Sequence, residues 1–258
     1  MNTVNSYSEI KSSKKEKVIS FLWQHVLLFC SLFLMTFGVA LCVRSNFGSS
    51  VISSIPLAMT LAGEIGKAPA LSIGEYTNLM NIVLVFGQLL ILRRRFERVQ
   101  LFQLIIGFLF GFLLDVNMYI TSSVVCDTLP TKIAAQVAGC IILGIGIAFE
   151  IRCGSITMPG EGFPAAISKA TGTPFAKAKI CVDISLVAIA VILGYFYFNR
   201  WLWNIVGPGT LFAMFFVGIV VRFFDRRLGW FDRLLLYRPG FRRYIFGLAR
   251  YLHSRNRS

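Results

Sequence analysis

A polar, glycine-rich stretch runs from Arg152 to Ala166 between two long apolar segments. It contains an arginine, a glutamate, two hydroxyl residues, three glycines and two prolines, which is not the composition of an ordinary membrane span. Backbone amides that are freed at a helix break can bind an anion, and a guanidinium can bind the same anion through paired hydrogen bonds. The chemistry that this stretch favours is therefore the binding of a small anion.

A weaker copy of the stretch runs from Arg44 to Ala58, and it aligns with the first without a gap at an offset of 108 residues. The same offset pairs Gly38 with Gly146, Ala40 with Ala148, Pro56 with Pro164, Ala58 with Ala166, and Glu75 with Asp183. These matches fall on rare small and polar positions rather than on the Leu and Ile background, so they indicate an internal repeat.

The predicted anion site takes its residues from both copies. Glycines permit close backbone approach, hydroxyls can bind ligand oxygens, and the two arginines would supply guanidinium groups from either side. A local alternative stays open for each: serine after glycine often caps a helix, and an arginine at the end of a span extends to the headgroups. The predicted solute-binding residues are Arg44, Gly48, Ser49, Ser50, Arg152, Gly154, Ser155 and Thr157.

Three acidic residues, Glu75, Glu161 and Asp183, are predicted to couple transport to protons, because a carboxylate at membrane depth is either paired or protonatable. Glu75 and Asp183 occupy matching positions in the two copies, and Glu161 lies between two glycines of the second stretch. Two alternatives stay open. Asp183 can pair with Lys179, four residues earlier, and Glu75 can lie at the headgroups.

Composition places the chain in a membrane. Of its 258 residues 56% are hydrophobic and 15% are charged, and the apolar residues form long runs. The net charge of +14 is concentrated at the chain ends and in short loops, which favours anionic lipid over nucleic acid as a partner. The predicted fold is an all-α integral membrane protein with six transmembrane helices plus two re-entrant or broken segments. The spans are predicted at residues 21–43, 71–92, 101–121, 133–151, 180–198 and 210–224.

Charge placement predicts the orientation. The apolar part of the first broken segment, residues 51–62, is only about 18 Å long as a helix and is too short to cross. If it is re-entrant, the arginine-rich loop at residues 93–98 lies in the cytoplasm, as the positive-inside rule favours. Both termini are then cytoplasmic, and the two halves have inverted topology. The chain divides into a disordered cytoplasmic N-terminus (1–20), a membrane domain (21–225, with repeats 21–122 and 133–225) and a basic amphipathic cytoplasmic tail (226–258).

Signatures of an enzyme are missing from the sequence. His25 and His253 lie at opposite ends of the chain, and the six cysteines have no metal-binding spacing. There is no P-loop or Rossmann glycine motif. We therefore predict that the protein is not an enzyme and needs no cofactor or metal. Its expected partners are membrane lipids and a small anionic solute, and not nucleic acid; no oligomeric state is predicted.

Several motifs lie at wide spacing along the chain: Gly48-Ser49 with Pro56, Gln103 and Asp115, then Met158-Pro-Gly-Glu-Gly162, Lys179-Ile-Cys-Val-Asp183, and Gly209-Thr210 with Gly218. Together they resemble the YczE/YitT-like family of bacterial multi-pass membrane proteins over roughly residues 20–225. Val51 departs from the pattern, because related sequences usually carry proline there. The resemblance implies a location in the bacterial cytoplasmic membrane and the multi-pass fold, but no substrate.

Two functions are compatible with these features. The leading hypothesis is a secondary transporter of a small anionic solute, with inverted repeats in the bacterial inner membrane. The alternative is a non-transporting accessory protein that binds a partner or anionic lipids through its basic tail, residues 226–258.

Overall fold

Long apolar helices dominate the computed structural model, which describes residues 14–235 and 244–255. Six of them are long and apolar enough to cross a membrane, and no strand occurs in the described residues. The all-α membrane fold class is therefore confirmed. These six helices are α1 (Lys14–Arg44), α3 (Ile73–Leu92), α4 (Gln103–Ile120), α5 (Leu129–Cys153), α7 (Phe175–Phe198) and α8 (Pro208–Asp225).

Shorter helices complete the fold. Two of them, α2 (Val51–Glu64) and α6 (Pro159–Thr171), fall on the interrupted segments that the sequence predicts. The chain ends with α9 (Gly229–Leu235) and α10 (Gly247–Arg255) within the predicted tail. Residues 236–243 and 256–258 of that tail lie outside the described residues. Short 3₁₀ turns flank α4 at Arg93–Arg95, Arg98–Phe102 and Thr121–Ser123.

The first helix extends further toward the N-terminus than predicted. Residues 14–20 are helical, so the expectation of disorder is wrong there, and residues 1–13 lie outside the described residues. Lysine and glutamate are good helix formers, which lets α1 continue beyond its apolar part. The extension is also held from outside, because the hydroxyl of Tyr244 donates a hydrogen bond to the backbone oxygen of Lys17 (3.3 Å).

The centre of the bundle is the antiparallel pair α1 and α5, which pack backbone against backbone. A Cβ atom added at Gly38 would lie 2.5 Å from the backbone nitrogen of Leu143 and 2.7 Å from the carbonyl oxygen of Gly139. Gly146 is equally close to the backbone of Met35. Small residues at such positions allow membrane helices to approach closely and to gain van der Waals contact along their length.

The remaining spans have directions that follow from their contacts. In the antiparallel pair α3 and α4, Gly74 meets Gly111 and Gln88 meets Gln103. In the parallel pair α5 and α8, Gln136 near the start of α5 donates to Gly209, and Arg152 near its end binds Asp225.

The last residue of α1 and the first residue of α3 lie at the same side of the bundle. Arg44 and Ile73 line one cavity together with Met118, near the end of α4. We call this side the Arg44 end and the opposite side the Arg152 end. Helix α1 ends and helix α3 begins at the Arg44 end. The segment between them, which contains α2, therefore enters and leaves the bundle on the same side. With 14 residues α2 is about 21 Å long, which is shorter than the roughly 30 Å of bilayer hydrocarbon.

The two short helices pack mainly on spans of the other half of the chain. Helix α2 contacts α7 as well as α3, and α6 contacts α3 as well as α7. Within each half, by contrast, the first span contacts the last, α1 with α4 and α5 with α8. One difference separates the halves, because α3 and α4 pack closely against each other whereas α7 and α8 have no comparable contact.

Because α1 and α5 approach each other so closely, one methyl group added between them should lower the stability of the protein. We expect Gly38→Ala to lower the thermal unfolding temperature of the detergent-purified protein, because overpacking of this kind destabilises by about 1–3 kcal/mol. Gly218→Ala is the matched control, since no atom lies within 4 Å of a Cβ at Gly218. That variant should be neutral or slightly stabilised through the higher helix propensity of alanine. Equal unfolding temperatures for the two variants would contradict the α1–α5 packing.

Candidate functional site

The first interrupted segment is buried against the start of α8. The backbone amide and the hydroxyl of Ser49 both donate to the carbonyl oxygen of Ile205, at 3.1 and 2.9 Å. Gly48 has a φ of +121°, and a Cβ there would lie 2.7 Å from Oγ1 of Thr210, so the position requires glycine. The hydroxyl of Ser50 is hydrogen-bonded to that of Ser53 (2.7 Å). The three predicted ligands Gly48, Ser49 and Ser50 therefore hold the segment in place.

Arg44 faces a cavity of about 370 Å³ at the Arg44 end. Its Nη2 donates to the carbonyl oxygen of Met118 (2.7 Å), while its Nε is buried and has no hydrogen-bond partner. The hydroxyl of Thr60, which also lines the cavity, is buried without a partner as well. The cavity is lined by apolar side chains and by several polar ones, among them Asn46, Ser122 and Asn204. The exposed carboxylates of Glu64 and Asp127 lie at its rim.

The second interrupted segment differs, because a carboxylate of the protein already occupies the start of α6. Glu150 is 1% exposed, and its Oε1 accepts a hydrogen bond from the backbone amide of Met158 (3.2 Å). Its Oε2 is buried without a partner. An amide at the start of α6, where the sequence predicts amides that bind a solute anion, thus binds an internal carboxylate. Glu150 is not among the residues predicted from the sequence, although a lone glutamate in the last turn of an apolar span is a recognisable signal.

Arg152 is held by two carboxylates rather than open to a solute. Its Nε donates to Asp225 (2.8 Å) and its Nη1 forms an ion pair with Asp232, while its Nη2 donates to the backbone oxygen of Asp225. These contacts join the end of α5 to α8 and α9. The negative charges of Asp225 and Asp232 exceed the positive charge of Arg152, so this group does not attract an anion.

The two arginines do not converge on one site. The backbone oxygen of Cys153, next to Arg152, accepts a hydrogen bond from Gln24, and its sulfur contacts Ser31. Ser31 and Arg44 are 13 residues apart in α1, which is about 20 Å along a helix. The predicted single site that spans both copies is therefore not assembled, and Arg44 alone remains at a cavity.

The other predicted residues of the second segment have separate surroundings. The hydroxyl of Ser155 is hydrogen-bonded to Nε2 of His25 (3.2 Å), and its backbone oxygen accepts from the amide of Phe246 (2.8 Å). A Cβ at Gly154 would lie 2.7 Å from the backbone oxygen of Glu150, so glycine is needed for the tight turn. Thr157 is buried, and its hydroxyl has no partner.

Two of the predicted coupling residues meet around one lysine. The Nζ of Lys179 lies 3.4 Å from Glu161 and 3.1 Å from Asp183, and both carboxylates are buried. Helices α6 and α7 are thereby joined by a charged group with a net charge of one negative unit. The local pair of Lys179 and Asp183, which the sequence left open as an alternative, is present, and the contact with Glu161 adds a partner from another helix.

Glu75 belongs to a different part of the molecule. Its carboxylate accepts from the amide of Ser72 (2.8 Å) while its own amide donates to the Ser72 hydroxyl, which is a capping box at the start of α3. It is exposed and lies 13 residues before Gln88, the part of α3 that contacts α6. Glu75 therefore caps a helix at the Arg44 end and does not join the Glu161 group.

A pair of buried glutamines completes the surroundings of α6. Gln88 of α3 donates to Gln103 of α4 (3.0 Å), and a Cβ at Gly162 would lie 2.8 Å from the Gln103 oxygen. One amide atom of each glutamine has no partner. Polar groups thus surround the first turn of α6 on several sides. We call these polar residues the α6 cluster. Its members are Gln88, Gln103, Glu150, Thr157, Glu161, Lys179 and Asp183.

Comparison with known proteins assigns the chain to a family. A family profile matches residues 22–226, which is most of the chain. The chain belongs to the DUF6198 family. That is a family of unknown function, so membership in DUF6198 supplies neither a solute nor a reaction. Searches of curated proteins and of solved structures returned no match. The DUF6198 match does not link the chain to the YczE/YitT-like family, and that resemblance stays a prediction.

Metal ligands are not grouped in the part of this DUF6198 protein that the structure describes. Within residues 14–235 and 244–255, no three histidine, cysteine, aspartate or glutamate side chains come together in a way that could hold a metal ion.

The Lys179 ion pairs predict a large loss of stability on neutralisation. In Lys179→Gln, the buried carboxylates of Glu161 and Asp183 lose their cation, which should destabilise the protein by about 3–5 kcal/mol. Lys177→Gln is the matched control, because Lys177 is an exposed lysine on the same helix. Thermal unfolding of both variants in detergent checks the difference. If Lys179→Gln unfolds at the temperature of Lys177→Gln, the three residues do not form the buried group described above.

Proposed function

We propose that this DUF6198 protein is a secondary transporter built from two inverted repeats. The observation that carries the proposal is the pair of short helices α2 and α6. Each follows a buried non-helical segment, and each packs on the second span of the opposite half. Transporters with inverted repeats place broken helices at the interface of the repeats, where the freed backbone lines the solute route.

The packing of the spans supports the repeat. An offset of 108 residues places α5 on α1, α6 on α2, α7 on α3 and α8 on α4. Under that exchange the contact of α1 with α4 becomes that of α5 with α8, and the contact of α2 with α7 becomes that of α6 with α3. The central pair, α1 with α5, maps onto itself and runs antiparallel. This is the relation expected of two halves with opposite orientations in the membrane.

The solute site in this proposal is the cavity at Arg44, and the solute is a small anion such as a carboxylate or a phosphate. Arg44 is the one cation among the residues that line the cavity, and a guanidinium can bind an oxyanion through paired hydrogen bonds. The acidic rim residues are exposed to water, where their charge is screened. Arg152 has no part in solute binding in this proposal, because two carboxylates neutralise it.

The accessory-protein alternative relies on the tail as a docking element. In the described part of the tail, α10 packs its apolar residues Leu248 and Leu252 against α6 and the end of α3. An apolar face that is buried on its own chain is not available to a partner. The position of α10 therefore favours the transporter over the accessory protein.

Anion binding at Arg44 predicts a ligand-dependent gain in thermal stability. We expect acetate, succinate, phosphate or sulfate to raise the unfolding temperature of the detergent-purified wild type, and Arg44→Gln to lose that gain. A ligand at 100 times its dissociation constant adds about 2.7 kcal/mol, which such a measurement resolves. Glycerol and ethanolamine serve as a neutral and a cationic comparison.

The matched control for this experiment is Arg200→Gln, because Arg200 is an exposed arginine near the same end of the bundle and outside the Arg44 cavity. This variant should keep the response of the wild type. A gain that persists in Arg44→Gln, or that disappears equally in both variants, would overturn the assignment of the solute site. Ethanolamine acting more strongly than all four anions would overturn the solute class.

The orientation with both termini in the cytoplasm places the Arg44 end outside. Glu64 and Glu97 are both exposed and lie at opposite ends of the bundle, Glu64 on the rim of the Arg44 cavity and Glu97 in the arginine-rich loop. In intact cells we expect a membrane-impermeant maleimide to label Glu64→Cys, and to label Glu97→Cys only after permeabilisation. Wild-type protein measures the background from the native cysteines. The reverse pattern would place the Arg44 end in the cytoplasm.

A further inference from the structure

Glu150 is the most deeply buried acidic residue in the described part of the chain, and its local geometry is unusual for a carboxylate. Its side chain is 1% exposed, and it spans the break between α5 and α6. The backbone oxygen of Glu150 accepts from the amide of Gly154 (2.6 Å), and its Oε1 accepts from the amide of Met158 (3.2 Å). Its Oε2 has neither a hydrogen-bond partner nor contact with solvent.

The charged groups around Glu150 are engaged elsewhere. The nearest acidic neighbour of Glu150 is Glu161 of α6, and two negative charges repel each other. Glu161 and Asp183 are both paired with Lys179 of α7. Arg152 is directed to Asp225 of α8 and Asp232 of α9. From α1, the ring of His25 contacts Ser155. From α5 itself, the thiol of Cys153 contacts Ser31 and the backbone oxygen of Glu150. No cation of the described residues lies within 4.0 Å of the Glu150 carboxylate, so its charge is uncompensated.

An isolated ionised carboxylate is very unfavourable in a low-dielectric interior, so a group in this position binds a proton or meets a cation. A metal cation needs several oxygens that converge on it, whereas here Oε1 is already taken by Met158 and Oε2 is the single free oxygen. One proton on Oε2 removes the charge, which is the larger part of the cost of burying a carboxylate.

We propose that Glu150 is the proton-binding residue that couples this transporter to a proton gradient. This inference rests on the proposed transport function and adds the coupling ion and the group that carries it. The proton arrives from the aqueous phase, forms an O–H bond with Oε2, and leaves as the same bond breaks when the site is open to water on the other side. No electron transfer and no other reactant are involved.

The surroundings of Glu150 supply a way to open the site. The C-terminal segment covers the α5–α6 break, because the amide of Phe246 donates to Ser155 and the amide of Tyr244 donates to the side chain of Gln24 (2.9 Å). In this proposal, displacement of the segment together with α10 opens the break, and with it Glu150, to the Arg152 end. In the first half the residue 108 positions earlier is Cys42, whose thiol contacts Cys140 of α5, so only the second half carries a carboxyl at this place.

Infrared difference spectroscopy tests the proton directly. A protonated carboxyl group has a C=O stretch that is separate from the carboxylate bands and shifts when H2O is replaced by D2O. We expect this band in the detergent-purified wild type at neutral pH and its loss in Glu150→Gln. The glutamine keeps an acceptor oxygen for the Met158 amide, so the fold should persist. Glu161→Gln and Asp183→Asn should both retain the band.

Each outcome of the infrared test decides the assignment. Absence of the band in the wild type, its persistence in Glu150→Gln, or its loss in Glu161→Gln or Asp183→Asn would overturn it. If Glu150→Gln does not fold, the wild type and the other two variants still decide, because the band must be present in all three.

Coupling is tested by the protons that move when an anion binds. Phosphate or succinate is added to weakly buffered protein with a pH indicator, and the linked change in proton binding is recorded. The wild type should exchange protons with the solution, and Glu150→Gln should not. If an anion stabilises the wild type through Arg44 but moves no protons, the coupling role is wrong while the transporter proposal stands. If no anion binds, the transporter proposal fails, and the infrared band alone decides whether Glu150 holds a proton.

Discussion

Backbone amides and carbonyls have no hydrogen-bonding partner in hydrocarbon, and this constraint explains the architecture around both interrupted segments. The chain leaves helical geometry between α1 and α2 and again between α5 and α6, and at both places it is surrounded by protein. Ile205 and Gly209 satisfy the first break from the start of α8. Glu150 and the C-terminal segment satisfy the second. A break of this kind is stable only because other helices pack around it, so the six spans and the two short helices depend on one another.

The two breaks differ in the charged and polar groups that surround them. At the Arg44 end, the protein leaves an arginine donor and a threonine hydroxyl unsatisfied beside a cavity. At the Arg152 end, it fills the corresponding places with its own acidic groups, which cap α6, neutralise Arg152 and surround Lys179. The two ends of the bundle therefore differ in their electrostatics. In the proposed transporter, one end binds the anion and the other binds the proton.

Much of the fold was predictable from the sequence, because long apolar runs and short polar breaks reflect the thickness of a bilayer. The predicted spans agree with the helices to within a few residues for most ends, and α2 and α6 fall on the predicted breaks. The site was less predictable, since its contacts join residues far apart in sequence. Arg152 looked open to a solute because its partners, Asp225 and Asp232, lie about 70 to 80 residues later. Glu150 was overlooked because its partner, Met158, contributes a backbone amide that no residue type reveals.

The two halves present different shares of their spans to the surrounding lipid. Helices α3 and α4 pack against each other, and 44% of the residues in their most apolar stretches are buried, against 22% in α7 and in α8. With 18 residues α8 is about 27 Å long, close to the thickness of the hydrocarbon layer, so a thicker membrane would thin locally or pull on this helix. Lipid acyl chains, rather than other helices, contact the exposed faces of α7 and α8. In the proposed transporter, the length of these chains affects how easily the second half moves against the first.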